Sequence, residues 1–326
     1  MKSVMMVLFI SLFLTSMVFA QGSNYSETVQ TGDDNKATVT QIGSMNYVGA
    51  PLTNGSNPEG VYQLGNENEA MVEQVGSKNF VESIQGGHPR YNIGAGNLNI
   101  ADIYQDGQEN QVWGRQLGDE NNADIDQVGL RNYATYWVWG NRNTVKVESK
   151  NGDDNYAKIA INSSDNSATV LQDGSSNFAK VGQGWIGYAN HDGNTAIVDQ
   201  KGSGNRVENP LPAGSLPGYT SDLVGMGLQQ YGENNYGKIS QDGTGNKAWT
   251  YQFGHNHDIT LTQLGSTNDA FVAQYGTSGI GYGDNSSANV TQDGDINLSQ
   301  NTQIGVDHVI TVNQTGNNNT STILQR

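Results

Sequence analysis

The chain has 326 residues, of which 42 are glycine and none is cysteine, and its formal net charge is -16 although only 15% of its residues are charged. Its hydrophobic content is 35%, below the roughly 45–50% of ordinary globular chains, which argues against a thick conventional core. The missing cysteines exclude a disulfide framework, and an acidic chain without a Lys/Arg cluster is a poor candidate for nucleic-acid binding.

The first twenty residues differ from the rest of the chain. Lys2 precedes an apolar run from Val4 to Leu14, and Ala20 supplies the small residue of a cleavage site. This pattern predicts a secretory signal peptide over residues 1–20. An uncleaved anchor helix is the less favoured alternative, because the run is short for a bilayer. We expect a single repeat domain over residues 21–326, located outside the inner membrane, with no transmembrane segment after cleavage.

From about residue 24 an eleven-residue period governs the sequence, and such periods indicate a repeat architecture. The segment 63–85, QLGNENEAMVEQVGSKNFVESIQ, states the unit twice: Q-x-G-x-x-N, then alternating apolar residues. The glutamines are Gln30, Gln41, Gln63, Gln74, Gln85, Gln105, Gln116, Gln127, Gln172, Gln183, Gln200, Gln230, Gln241, Gln252, Gln263, Gln274, Gln292, Gln303, Gln314 and Gln325. Leu52, Val138 and Ile161 stand in phase where glutamine is missing.

Glycine and asparagine follow the glutamines at fixed distances. The glycines are Gly32, Gly43, Gly65, Gly76, Gly107, Gly118, Gly129, Gly174, Gly202, Gly232, Gly243, Gly254, Gly265, Gly294, Gly305 and Gly316. The asparagines are Asn35, Asn46, Asn68, Asn79, Asn110, Asn121, Asn132, Asn155, Asn166, Asn177, Asn205, Asn235, Asn246, Asn268, Asn297 and Asn319. The segment x-G-x-x predicts a tight turn in which glycine supplies a positive φ.

Between each asparagine and the next glutamine the residues alternate strictly, which is typical of a β-strand. Ala123 and Ile125, for example, lie on the same side as Asn121 and Gln127. Two strand–turn units return the chain to its starting edge. The pattern predicts an all-β fold: a β-solenoid of two stacked, parallel, in-register, amyloid-like sheets, with about 13 coils of about 22 residues and a length of about 60 Å.

Irregular segments near 49–60, 86–95, 184–193, 208–227 and 275–285 interrupt the period. Three of them hold all six prolines, Pro51, Pro58, Pro89, Pro210, Pro212 and Pro217. Because proline cannot donate to a strand ladder, this placement supports the strand assignment elsewhere. We interpret the segments as bulging loops rather than partner sites.

Stacked side-chain amides can hydrogen-bond to their copies one rung above and below. The glutamines and asparagines are therefore predicted to form structural ladders, with a thin dry interior between the two sheets. A lone eleven-residue unit buries too little to offset the cost of ordering it, so each rung depends on its neighbours. No helical or proline-rich cap is evident at either end, and bare matching edges favour an open head-to-tail filament.

These repeats resemble those of curlin, the major subunit of bacterial curli, a secreted functional amyloid. The curlin pattern S-x5-Q-x-G-x-x-N-x-(A/V)-x3-Q is met by Gln30, Gly32, Asn35, Ala37 and Gln41, and again by the units that begin at Gln63 and Gln116. The resemblance covers about residues 24–326. It implies extracellular fibres at the bacterial cell surface, a role in adhesion and biofilm matrix, an outer-membrane secretion channel and a nucleator subunit.

The chain departs from the curlin pattern in two respects. The leading serine is usually asparagine here, and few residues precede the first repeat. The segment that addresses related subunits to the secretion channel is therefore predicted to be short or missing, which leaves the export route and the choice between major subunit and nucleator open. The competing interpretation is a monomeric repeat adhesin.

Enzymatic and metal chemistry have little support in the sequence. Among the five histidines, His257 and His308 occupy asparagine positions and are interpreted as ladder substitutes. His255 and His257 alone do not complete a metal site, and the eleven-residue period differs from the nine-residue period of calcium-binding β-rolls. We expect no enzyme, no cofactor and no metal. Aromatic residues recur just after the asparagine, and Tyr133, Tyr156 and Phe178 are predicted to stack as an aromatic ladder.

Overall fold

The computed structural model describes residues 23–49, 60–87, 95–184, 192–209, 226–276 and 285–326. In these residues the chain forms 26 strands and no helix. Every pairing between named strands is parallel and in register, and the strands form two sheets. The predicted signal peptide, Leu52, the six prolines and most of each predicted irregular segment lie outside the described residues. The all-β solenoid fold with two stacked parallel sheets is confirmed.

One sheet, called here the continuous sheet, has 11 strands that pair in chain order. They are β3 (Lys36–Ser44), β6 (Glu69–Ser77), β8 (Ile100–Gln108), β10 (Asn122–Leu130), β12 (Thr144–Lys150), β14 (Ser167–Asp173), β16 (Thr195–Ser203), β19 (Tyr236–Thr244), β21 (Asp258–Ser266), β23 (Ser287–Asp293) and β25 (Val309–Thr315).

The other sheet, called the interrupted sheet, has 15 strands. They are β1 (Tyr25–Ser26), β2 (Thr28–Thr31), β4 (Tyr47–Val48), β5 (Val61–Leu64), β7 (Phe80–Gly86), β9 (Gln111–Leu117), β11 (Tyr133–Trp139), β13 (Tyr156–Asn162), β15 (Phe178–Gln183), β17 (Arg206–Val207), β18 (Leu228–Tyr231), β20 (Lys247–Phe253), β22 (Asp269–Tyr275), β24 (Leu298–Ile304) and β26 (Thr320–Gln325).

Three pairs of short strands in the interrupted sheet are halves of a single rung. The pair β1 and β2 stacks on the pair β4 and β5, and β17 and β18 both stack between β15 and β20. The described residues therefore form 12 rungs in the interrupted sheet and 11 in the continuous sheet. This count is close to the predicted number of about 13 coils, and the described strands just before Gln63 and Gln230 belong to broken rungs.

The core is the thin layer between the two sheets. It consists of the alternating small and branched residues predicted from the sequence, such as Ala123, Ile125, Val145 and Val147, all of which are buried. Each of these side chains lies directly above its counterpart in the rung below, as Ala123 does with Ala101. The burial of one rung therefore depends on the presence of the next.

A second buried cluster lies on the outer face of the interrupted sheet. Met226, Tyr231 and Tyr251 are buried there together with Ala160 and Ala273. Phe253, Phe271 and Tyr275 pack against this cluster. The alternation of residues marks these positions as outward but did not predict this additional apolar layer.

The two edges of the solenoid differ. The uniform edge consists of the eleven turns that lead from the continuous to the interrupted sheet; all are described, and only the one after Ser149 is a residue longer than the others. The variable edge consists of the turns that lead back. The undescribed segments 88–94, 185–191 and 277–284 begin and end on the variable edge, and the segments 50–59 and 210–225 begin and end within rungs of the interrupted sheet.

Candidate functional site: amide ladders and open edges

In the continuous sheet the predicted glutamines form a hydrogen-bonded column. Gln74 Nε2 donates to Gln105 Oε1 at 2.9 Å, and Gln105 Nε2 donates to Gln127 Oε1 at 2.9 Å. The same donor-to-acceptor direction links the C-terminal members, which are Gln172, Gln200, Gln241, Gln263, Gln292 and Gln314. Every donor amide thus points towards the C-terminal end of the solenoid.

The interrupted sheet carries a second glutamine column with the same polarity. Gln30 Nε2 donates to Gln63 Oε1 at 2.7 Å, and Gln303 Nε2 donates to Gln325 Oε1 at 3.1 Å. The other members linked in this way are Gln85, Gln116, Gln183, Gln230, Gln252 and Gln274. Most of these amides also donate to a backbone carbonyl; Gln63 Nε2, for example, donates to Asn68 O at 3.0 Å.

Both columns are broken at the same height. Ser149 lies between Gln127 and Gln172 in the continuous sheet, and Val138 and Ile161 lie between Gln116 and Gln183 in the interrupted sheet. The breaks leave two buried amide atoms, Gln127 Nε2 and Gln183 Oε1, without a hydrogen-bond partner. An unsatisfied buried polar atom costs about 1–3 kcal/mol. The glutamine columns therefore stabilise these middle rungs less than the rungs on either side.

An asparagine column runs the full length of the uniform edge. The backbone N–H of each asparagine donates to the side-chain Oδ1 of the asparagine one rung before it, as Asn110 does to Asn79 at 3.1 Å. The column comprises Asn24, Asn46, Asn79, Asn110, Asn132, Asn155, Asn177, Asn205, Asn246, Asn268, Asn297 and Asn319. Asn110 Nδ2 also donates to Gly129 O at 2.9 Å, which ties the column to the next turn.

The asparagine column of the variable edge is less regular. It includes Asn35, Asn68, Asn99, Asn121, Asn143, Asn166, Asn194 and Asn235. His257 then takes the asparagine position, and its backbone N–H donates to Asn235 Oδ1 at 3.0 Å. Ser286 and His308 occupy the last two positions and are joined at 3.4 Å.

Sequence reasoning missed Asn99, Asn143 and Asn194 as members of this column. Asn99 and Asn194 follow irregular segments and so do not lie five residues after a glutamine, whereas Asn143 is in phase but follows Val138 instead of a glutamine. The alternation after each residue is a signal that could have identified them, because all three asparagines begin an Asn-x-Ala-x-Ile pattern or its equivalent.

The predicted turn glycines form columns of very close backbone approaches. At Gly107, φ is +130°, and an added Cβ would lie 1.9 Å from Gly129 O in the next rung. Any side chain there would force the two turns apart. Most turns also have a non-glycine residue with positive φ just before the asparagine, and Ile296, with φ of 59°, is a branched example.

The residues of the predicted aromatic ladder lie on the outer face of the interrupted sheet. The rings of Tyr133 and Tyr156 are stacked with centroids 5.1 Å apart, and those of Tyr156 and Phe178 with centroids 4.6 Å apart. Arg206 caps the stack, with its guanidinium carbon 4.7 Å from the Phe178 ring centroid. Partial burial raises the pKa of Tyr133 and of Tyr156. The aromatic stack therefore spans the rungs in which the glutamine columns are broken.

Tyr136 stands inside the core at this level, at the position where the next rung has the branched residue Ile159. It is fully buried, and Gly114 in the rung below provides the space, since an added Cβ at Gly114 would lie 2.2 Å from the Tyr136 ring. Burial raises the pKa of Tyr136 to about 12.

Acidic side chains are concentrated on the outer face of the continuous sheet near β8 and β10. Burial, and then the charges of Asp124, Glu73, Asp126 and Glu69, raise the pKa of Asp102. Lys146 lies 3.4 Å from Asp124, and Lys150 lies 3.6 Å from Asp126, so part of this charge is paired. These surroundings favour the protonated form of Asp102, and the net negative charge of the face is repulsive towards other acidic surfaces.

The histidines do not form a metal centre in the described part of the chain, where no group of three or more His, Asp or Glu side chains is placed to hold an ion. His255 Nδ1 lies 3.7 Å from a Glu233 carboxylate oxygen. In the described ranges no helix has the length and apolarity that a bilayer crossing requires.

The terminal rungs have one neighbour each among the described residues. In the continuous sheet β3 pairs only with β6, and β25 only with β23; in the interrupted sheet β1 and β2 pair with β4 and β5, and β26 pairs only with β24. Within the described residues, each end of the solenoid therefore has one strand per sheet with an unpaired edge, and the amide columns end at those edges.

The model of the curlin associated repeat family matches residues 118–150, 232–265 and 258–294. The chain carries curlin associated repeats over these stretches. Each matched stretch of this curlin-repeat protein runs from a strand of the continuous sheet through the interrupted sheet and back, for example from β19 through β20 to β21. The curlin family is a family of structural proteins. A comparison with curated protein sequences gives no match.

Proposed function

We propose that this curlin-repeat protein is a non-enzymatic, secreted structural subunit that assembles head to tail into extracellular amyloid fibres for adhesion and biofilm matrix. The observation that carries the proposal is the pair of exposed strand edges at each end of the described solenoid. An exposed edge is a template on which another chain can pair. Edges that match head to tail without closing a ring generate an open filament.

The energetics of a rung support assembly. Burying a Val-sized side chain contributes about 1.5–3 kcal/mol, whereas ordering each residue costs about 1–2 kcal/mol. A rung with two such side chains is therefore unstable without the ladder bonds and burial that a neighbouring rung supplies. A terminal rung has only one neighbour and gains a second when another copy docks.

The polarity of the amide columns favours head-to-tail order. Glutamine Nε2 donors point towards the C-terminal end, and Oε1 acceptors point towards the N-terminal end. Docking of unlike ends brings donors to acceptors, whereas docking of like ends would place acceptor against acceptor or donor against donor. We infer polar fibres.

A test uses the chain over residues 21–326, purified as monomer and concentrated. We expect fibre growth with a lag that preformed fibres abolish, measured by amyloid-dye fluorescence, and a meridional reflection near 4.7–4.8 Å in fibre diffraction. A chain that stays a dispersed monomer for weeks, measured by analytical ultracentrifugation, would contradict the proposal and would favour the monomeric adhesin.

A proline variant tests the edge itself. Leu298 N–H donates to Asn319 O in the next rung at 2.8 Å, and by the repeat of the ladder Thr320 N–H points to the open edge. Thr320→Pro is expected to leave monomer stability nearly unchanged and to stop elongation, because proline has no N–H to donate. Leu298→Pro is the matched control and is expected to destabilise the monomer.

The remaining family expectations are proposals. We place the fibres at the bacterial cell surface and expect an outer-membrane secretion channel and a nucleator subunit as partners. A role as the nucleator itself is a second possibility within the same fold. Co-assembly kinetics separate the two roles, because a nucleator shortens the lag of a separate major subunit at substoichiometric amounts.

A further inference from the structure

The first and last described rungs lie in the same sheet. The solenoid begins with β1 and β2 and ends with β26, and all three belong to the interrupted sheet. The interrupted sheet consequently has one rung more than the continuous sheet, 12 against 11. This inequality constrains how two copies can stack.

Rigid stacking cannot complete both sheets. If β26 of one copy pairs with β1 and β2 of the next, the second copy is displaced by 12 rungs, which is correct for the interrupted sheet. The continuous sheet then has one rung missing between β25 and the next β3. The backbone groups of both strands would remain unpaired at every joint, at a cost of about 1–3 kcal/mol for each buried group.

Displacement of the first rung removes this mismatch. Without β1 and β2 each sheet has 11 rungs, so a displacement of 11 rungs pairs β26 with the next β4 and β5 and also pairs β25 with the next β3. Both sheets are then continuous through the joint.

The first rung, formed by β1 and β2, is packed weakly against the rest of the solenoid. It is broken at Glu27, and all four residues of β2 are exposed. Its inward positions hold Ser26 and Thr28, which lie against Val48 and Val61 in the second rung. The two hydroxyl side chains bury less apolar surface than the residues at the equivalent positions of the middle rungs.

The last rung has the same residues as the first rung at the positions that bond to the second rung. Counting from the asparagine, residues 24–31 read NYSETVQT and residues 319–326 read NTSTILQR. Asn, Ser and Gln coincide, and Ile323 stands where the first rung has Thr28. Asn319 and Gln325 could therefore make the bonds that Asn24 Oδ1 makes to Asn46 N–H and that Gln30 Nε2 makes to Gln63 Oε1.

We propose that β1 and β2 form a removable cap, and that at each fibre joint β26 of one copy replaces them on β4 and β5 of the next copy. This inference rests on the proposed fibre assembly. It assigns the acceptor surface to β4 and β5, and it identifies the partner as the C-terminal rung of a second copy of this chain.

A disulfide lock tests whether the cap must leave. Tyr25 and Tyr47 are in direct register, as are Tyr47 and Phe80, and neighbouring parallel strands have a spacing that a disulfide can span. Oxidised Tyr25→Cys/Tyr47→Cys should not elongate, and reduction should restore growth. Tyr47→Cys/Phe80→Cys, which leaves the cap free, should elongate in both states. Equal growth of the two oxidised variants would overturn the proposal.

Cross-linking inside fibres gives a readout for the joint itself. With Thr320→Cys as one partner, replacement predicts an intermolecular disulfide with Tyr47→Cys, whereas retention of the cap predicts one with Tyr25→Cys. The axial repeat is expected to be about 53 Å for 11 rungs rather than about 58 Å for 12 rungs at roughly 4.8 Å per rung. Fibres with the Tyr25→Cys cross-link and the longer repeat would refute the exchange and leave fibre assembly standing; no fibres from the unmodified chain would refute the assembly itself.

Discussion

The middle rungs β11–β13 and the rungs on either side of them use different means of stacking. In the flanks, buried glutamines such as Gln105 and Gln241 bond to their copies above and below. In the middle, Val138, Ser149 and Ile161 interrupt both columns, and Tyr133, Tyr156 and Phe178 stack on the outer face instead. The family match that includes residues 118–150 covers part of this middle region, so the repeat tolerates loss of the glutamine while the strand register persists.

The comparison indicates that register does not depend on the glutamine alone. On the uniform edge the asparagine column and the close glycine contacts both continue unbroken through the middle. We infer that the glutamine columns stabilise rung stacking in the flanks, and that apolar and aromatic packing stabilises it in the middle.

The largest expected effect is the loss of a flank glutamine. Gln241→Leu removes the bonds to Gln200 and Gln263, both 2.8 Å long, and leaves the buried Gln263 Oε1 without its donor. We expect the free energy of unfolding to fall by about 3 kcal/mol, measured by urea denaturation of freshly prepared monomer. The control Ile161→Leu, at a middle position that has no amide, should cost less than about 1.5 kcal/mol. Equal losses would remove the distinction between the two regions.

The next effect concerns the aromatic stack of the middle. Tyr156 contacts both Tyr133 and Phe178, so Tyr156→Ala breaks two ring contacts. Each aromatic pair contributes about 0.5–1.5 kcal/mol beyond its burial, and we expect a loss of about 2 kcal/mol in the same urea assay. Tyr156→Phe keeps the rings and should be nearly neutral. If both variants lose the same stability, stacking is not the cause.

A smaller gain is expected from repair of the break. Ser149→Gln would place an amide between Gln127 and Gln172 and give the unpaired Gln127 Nε2 an acceptor. We expect the free energy of unfolding to rise by about 1 kcal/mol. Ser149→Leu supplies similar volume without an amide and serves as the control; an equal gain in both variants would attribute the effect to packing.

The smallest expected effect is the dependence on pH. The pKa of Asp102 is raised in the folded state, chiefly by burial and then by neighbouring carboxylates. The folded state therefore takes up a proton more readily than the unfolded state, and this group's contribution to stability rises as pH falls from 7 towards its ordinary pKa near 4.

Asp102→Asn should flatten that dependence by less than about 1 kcal/mol, because Asp102 is partly solvated. Urea titrations at pH 7 and pH 5 measure the slope. Asp154→Asn is the control, because pairing with Arg131 lowers the pKa of Asp154. An unchanged slope in Asp102→Asn would locate the pH dependence elsewhere.

The sequence was sufficient for the strand register, because a period of eleven with strict alternation admits few alternatives. The same period did not predict that the described strands just before Gln63 and Gln230 are halves of broken rungs. The buried outer cluster around Tyr251 was not predicted, because alternation marks a residue as outward without saying whether anything covers it. The replacement of glutamine by Val138 and Ile161 was visible in the sequence. That this break lies at the same height as Ser149 became clear only from the strand register of both sheets.

The restriction of every inserted segment to the interrupted sheet and the variable edge has a practical consequence. Along the uniform edge the turns repeat with almost no change in length, whereas the interruptions of the described solenoid all lie elsewhere on its circumference. A peptide inserted at one of those interruptions, such as after Gly276, should leave the rung spacing unchanged. A fibre of this protein could then display a foreign peptide along one side, once per subunit, while the opposite side stays free for contact with a support.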